Sequence, residues 1–130
     1  MINYLGVDWG EKRIGLALAN DKNLLATPFK VVESVSDLFK TIEEENINEL
    51  VIGLPQKMKT GEVDNIKFKN FIIILEKKIA DRKVEINFTD ERLSSAQADS
   101  LRAGKIKISR DCVSAMIILQ SYLDKKYAQN

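Results

Sequence analysis

Four acidic residues stand where carboxylates could do chemistry. Asp8 ends the apolar run that contains Ile2, Tyr4 and Leu5, and it lies between Gly6 and Gly10. Asp90 and Glu91 follow the alternating Val84, Ile86 and Phe88, and Asp111 comes two residues after Ser109. Carboxylates carried on separate elements can converge on Mg²⁺ or Mn²⁺, hard ions that prefer oxygen ligands. A pair of such ions about 3.5–4 Å apart activates a water and stabilises the leaving oxygen in phosphodiester cleavage. Basic residues lie beside these acids. Lys12 and Arg13 follow Asp8, Arg92 follows Glu91, and Arg102, Lys105, Lys107 and Arg110 form a stretch with no acid among them. Together they suit phosphate groups, whose contacts with Lys and Arg make binding salt-sensitive.

Each position also has a plain structural reading. Asp8 could close a turn by accepting N–H bonds from Gly10 or Glu11. Asp90, Glu91 and Arg92 could be a surface ion pair. At a helix N-terminus any acid gains roughly 0.3–1 kcal/mol, which would account for Asp111. The segment from Arg102 to Arg110 could be an ordinary solvated loop. Trp9 alternates away from Asp8 and so belongs to the core or a partner contact rather than to a base stack. Cys112 reads as a small core residue, and Gly53-Leu54-Pro55 as a turn ending a strand.

Composition narrows the chemistry further. The chain holds no histidine, so the commonest general base and the commonest zinc ligand are both excluded. Its one cysteine rules out an internal disulfide, in keeping with an expected cytoplasmic setting. A net charge of +1 says nothing about nucleic acid by itself. No apolar run approaches the ~18 residues of a membrane span, and no signal peptide is recognisable at the start. With 130 residues and 45% apolar content, one domain over residues 1–130 is expected.

The elements that must position these acids are legible from periodicity. Strands are expected at Tyr4–Asp8 and Arg13–Ala19, joined by a turn at Gly10–Lys12, with an irregular edge strand at Leu24–Val32 interrupted by Pro28. Ser34 or Ser36 caps a helix whose inner face is Val35, Leu38, Phe39 and Ile42. Leu50–Gly53 has the continuous apolar character of a parallel strand covered on both faces. A polar loop from Pro55 to Glu62 leads to a second helix, capped by Asp64 or Asn65 and running to about Ile79. Val84, Ile86 and Phe88 form a fifth strand. Ser94 and Gln97 make a capping box for a short helix ending near Gly104. Ser109 caps the last helix, with Val113, Met116, Ile117, Leu123 and Tyr127 facing inward. This order predicts an α/β fold: a mixed five-stranded sheet with helices on both faces, with Asp8 ending a central strand.

Taken together these residues resemble the YqgF/RuvX family, whose members are similar to Holliday-junction resolvases and have a ribonuclease H-like fold. The resemblance runs through Gly6-Val7-Asp8-x-Gly10-x-Lys12-Arg13-Ile14-Gly15, Gly53-Leu54-Pro55, Asp90-Glu91-Arg92-Leu93-Ser94, and Asp111 with Ala115 and the run from Ile118 to Asp124. It implies a metal-dependent nuclease with Asp8, Glu91 (in preference to Asp90) and Asp111 as catalytic and metal-holding residues. Lys12, Arg13, Arg92, Lys105, Lys107 and Arg110 would bind substrate. The implied substrate is the 5′ end of precursor 16S ribosomal RNA, with branched DNA as the alternative, acted on by a monomer or homodimer. It also implies that strand four separates strand five from strand one.

Two further functions compete with this one. A non-catalytic nucleic-acid-binding module would keep the acids for stability alone. A nucleotide-binding phosphotransferase would also use a Gly-x-Asp-x-Gly hairpin, but it needs a second similar half that this length does not supply.

Overall fold

The computed structural model describes residues 1–55, 64–90 and 109–128. β1 (Asn3–Trp9) and β2 (Ile14–Asn20) form an antiparallel hairpin, and β3 (Thr27–Val32) pairs antiparallel to β2. Helix α1 (Val35–Glu44) leads to β4 (Glu49–Gly53), which runs parallel to β1. Helix α2 (Asp64–Ile79) leads to β5 (Glu85–Thr89), parallel to β4, and α3 (Arg110–Lys126) follows. The strand order is β3-β2-β1-β4-β5, so β1 and β4 are interior and β5 is separated from β1 by β4.

The sheet divides the core into two layers. Strand residues alternate faces, and on one face Leu5, Val7, Leu16, Leu50 and Ile52 pack with Leu38 and Ile42 of α1 and Phe68, Phe71 and Leu75 of α2. On the other, Tyr4, Ala17 and Val51 pack with Ala115, Ile118, Leu119 and Leu123 of α3. Trp9 packs on the α2 side, partly buried, with its ring 5.5 Å from Phe68 and 5.9 Å from Phe71. All five residues of β4 are buried, as a parallel strand covered on both sides requires.

Several boundaries differ from the expectation. β3 begins at Thr27 rather than Leu24, because residues 21–26 bond elsewhere. Leu24 takes φ +53° and donates to the Asn20 carbonyl, and the Ala26 amide donates to Gln120 Oε1 of α3 at 2.9 Å. Ser34, not Ser36, caps α1, accepting from the Asp37 amide at 3.1 Å. Asp64 and Asn65 both lie inside α2, which begins at Asp64. Within the apolar run of α2, Ile73 and Ile74 are about half exposed. On α3 the buried stripe is Cys112, Ala115, Ile118 and Leu119 with Val113 and Leu123, whereas Met116 and Ile117 are only partly buried. The expected loop from 56 to 62 and short helix from 94 to 104 lie outside the described residues.

The far end of α3 is anchored by a charged cluster. Lys126 Nζ lies 3.2 Å from Glu49 Oε1 and over the rings of Tyr4, Tyr122 and Tyr127, while the Tyr4 and Tyr127 hydroxyls are 2.6 Å apart. Burial works against the Lys126 ammonium, but its bonds to Glu49 and Tyr4 outweigh that and hold its pKa above the ordinary value. Burial, reinforced by the bond to Tyr127, raises the pKa of the Tyr4 phenol.

Candidate metal and phosphate site

The site is built where the N-terminal end of α3 crosses the β1–β2 hairpin. Tyr4, Gly6 and Asp8 share the α3 face of β1, and Asp8 pairs directly across from Gly15 on β2. Asp8 is buried, with 7% of its surface exposed. Gly15 sets the approach of the helix. A Cβ there would sit 2.2 Å from the Asp111 carbonyl oxygen and 2.7 Å from the Asp111 Cβ. Only a residue without a side chain admits Asp111 to this place, directly beside Asp8. Directly opposed residues on adjacent antiparallel strands hold their side chains ~4.5–5.5 Å apart. Asp8 and Asp111 thus both meet at Gly15, one paired across from it and the other packed over it.

Asp111 lies in the first turn of α3, where a helix N-terminus favours any acid. The cap is Ser109, whose hydroxyl accepts from the Asp111 amide at 3.1 Å. The Asp111 carboxylate is instead turned to Arg13, with Asp111 Oδ2 3.3 Å from Arg13 Nε. The Asp111 side chain is 29% exposed and that of Arg13 is 68% exposed, so the pair is open to solvent. Next to it the hairpin turn is tied to α2 by Lys67 Nζ and Glu11 Oε2, 2.5 Å apart. Lys12 is exposed on the same turn, and Arg110 is exposed at the start of α3.

The remaining candidates do not all gather here. Asp90 follows β5, exposed and one strand removed from β1. Glu91, Arg92, Lys105 and Lys107 lie outside the described residues. Among the described residues, no three acidic, cysteine or histidine side chains cluster as a complete metal site. Asp8 and Asp111 form a two-carboxylate partial set. Cys112 is buried, and burial pushes its thiol pKa up, so it is an unreactive core residue.

Sequence reasoning missed two features. The first is Gly15 as the seat of Asp111; its only signal is a glycine inside a strand, which often marks a close approach. The second is the polar α3 face of β5, where Asn87 and Thr89 stand opposite Val51 and Gly53. Asn87 Nδ2 is buried there with no hydrogen-bond partner among the described residues. Arg13, expected to bind substrate, rests on the Asp111 carboxylate in this structure.

The donor set fits a hard divalent cation. It consists of carboxylate oxygens only, one of them on a buried strand end, where the first turn of α3 comes close to Gly15. A guanidinium already rests on one of the two acids.

The family model that matches residues 2–125 is described as RuvX, Holliday junction resolvase. The chain belongs to the RuvX family. Among relatives of RuvX type, a protein of Sulfurihydrogenibium sp. strain YO3AOP1 is 37% identical, the match covering 96% of this chain and 92% of that protein. One of Sulfurimonas denitrificans is 35% identical, with 96% and 99% covered. Both carry the name "Putative pre-16S rRNA nuclease". Thermus thermophilus RuvC superposes with a TM-score of 0.65 at 9% identity, covering 98% of this chain and 97% of that one. The fowlpox virus resolvase, solved with Holliday junction DNA, superposes at 0.56 and 12% identity, with 97% and 99% covered. At such identities the likeness is one of fold, and it establishes the expected ribonuclease H-like sheet.

Proposed function

We propose that this RuvX protein is a divalent-metal-dependent nuclease that hydrolyses phosphodiester bonds, with the 5′ end of precursor 16S rRNA as its substrate. The observation that carries this reading is the placement of Asp111 over Gly15, beside the buried Asp8. A cation shared between them would balance both negative charges at once. Asp8, Asp111 and Glu91 are the proposed ligands. The RuvX motif Asp90-Glu91-Arg92 favours Glu91 over Asp90. The pre-16S assignment is supported by the names of the full-length relatives.

Each residue has a stated task in this mechanism. Bound Mg²⁺ or Mn²⁺ would supply a nucleophilic water and neutralise charge on the scissile phosphate. Asp8, on a central strand, and Asp111, in the first turn of α3, would hold that cation. Lys12, Arg13 and Arg110, with Arg92, Lys105 and Lys107, hold the flanking phosphates and set the register of the strand.

A cleavage assay tests this reading. RNA carrying a precursor 16S 5′ leader and a four-way DNA junction are each incubated with wild type and Asp8→Asn, with and without Mg²⁺. Metal-dependent cleavage of the RNA by wild type alone is expected. Cleavage of the junction alone would move the assignment to branched DNA. Undiminished RNA processing by Asp8→Asn would favour a binding module without catalysis.

A further inference from the structure

The contact between Arg13 and Asp111 carries an inference about how the metal site is held before metal arrives. The pair joins a proposed phosphate-binding residue to a proposed metal ligand at 3.3 Å. A guanidinium and a divalent cation drawn to the same carboxylate repel one another, so the two compete for Asp111. The Arg13 side chain is mostly exposed and sits on the mobile end of a long stem, whereas Asp111 is held by a capped helix over Gly15. Of the two partners, Arg13 is the one able to leave.

We infer that Arg13 is a displaceable internal counter-cation of the metal site. It neutralises Asp111 in the metal-free protein and is expelled from it when a divalent cation binds. Its guanidinium then stands at the rim of the site, where the proposed function needs a group for substrate phosphate. The inference rests on Asp8 and Asp111 holding metal, and it adds an order of events to that reading. Arg13 therefore opposes metal entry and would favour substrate only afterwards. Lys12 carries the same charge on the same turn but makes no contact with Asp111 among the described interactions, so it separates direct occupancy from a general field effect.

Binding of Mn²⁺ alone, measured by electron paramagnetic resonance titration, tests this. Wild type and Asp111→Asn establish the site: Mn²⁺ bound by the first and lost in the second supports the metal reading, and no binding by wild type overturns both that reading and this inference. With the site established, Arg13→Ala is expected to bind Mn²⁺ about two- to fivefold more tightly, the range set by a partly exposed ion pair. Lys12→Ala is expected to gain less than half of that change on a logarithmic scale. Unchanged or weaker Mn²⁺ binding by Arg13→Ala would overturn the inference while leaving the metal site intact, as would an equal gain in Lys12→Ala. In a crystal soaked with Mn²⁺, Arg13 Nε is expected beyond 4 Å from Asp111 Oδ2, past ion-pair distance; retention of the pair beside bound Mn²⁺ contradicts it.

Discussion

Replacing Gly15 by alanine is the sharpest perturbation of the proposed site, because it alters neither carboxylate. The added Cβ would lie 2.2 Å from the Asp111 carbonyl oxygen and 2.3 Å from its carbonyl carbon, where ordinary contact begins at 3.4 Å. Both atoms are backbone in the first turn of α3, so no side chain can rotate away. The helix end must retreat by roughly 1 Å or the hairpin must bend. Overpacking of this kind costs about 1–3 kcal/mol, offset by a few tenths from the lower chain entropy of alanine. At this chain length 1 kcal/mol corresponds to about 4 °C in Tm, so a fall of about 4–12 °C is expected. The functional loss should be larger than stability explains, since a 1 Å misplacement of a reacting group can cost about 100-fold in rate. Gly6→Ala is the control. Its Cβ would meet the Ala115 carbonyl oxygen and Leu119 Cβ, both at 2.7 Å, on the same helix but away from Asp111. Thermal melts and cleavage rates at a temperature where all variants are folded make the comparison. Comparable losses of Tm with a much greater loss of rate in Gly15→Ala are expected. Native-like cleavage by Gly15→Ala would refute the claim that this glycine seats Asp111.

Other expectations follow from the anchors of α3 and the buried acid. Lys126→Met leaves Glu49, whose side chain is 8% exposed, without its cation. A loss of about 1–3 kcal/mol is expected in denaturant titration, largely recovered in Glu49→Leu/Lys126→Met. Lys126 and Tyr4 both hold their protons more tightly folded than unfolded. Their contribution is therefore complete below the ordinary lysine and tyrosine values and is lost above them. Tm should stay flat from neutral pH upward and fall above about pH 10, less steeply in Lys126→Met. Ser109→Ala should cost about 1 kcal/mol by removing the α3 cap, read as a Tm shift. Asp8→Asn should abolish cleavage while keeping the native circular dichroism spectrum.

The sheet was readable because its signals are local. The Gly10–Lys12 turn, the alternation in Val84, Ile86 and Phe88, and the apolar run at Leu50–Gly53 each answer to one segment's own chemistry. Ser109 was equally plain as a cap. The failures came where distant groups decided the outcome. Residues 21–26 left the sheet because Gln120, far along the chain, offers an acceptor to the Ala26 amide. The inner stripe of α3 turned toward Ala115 and Ile118 because Gly6 and Gly53 open space for them on the sheet. For the candidate site, residue types named Asp8 and Asp111 as candidates, but their adjacency depends on a register pairing Asp8 with Gly15. Spacing along the chain carries no trace of that register. Nor does it reveal that Arg13 would rest on Asp111, since a basic residue beside acids reads equally as a phosphate ligand.

The central claim is that Asp8 and Asp111 share a divalent cation, and anomalous diffraction from a crystal soaked in Mn²⁺ tests it most directly. An anomalous peak within coordination distance of both carboxylates, about 2.0–2.3 Å, is the predicted result. Full-occupancy Mn²⁺ elsewhere on the molecule, with neither Asp8 nor Asp111 touching it, would contradict the account.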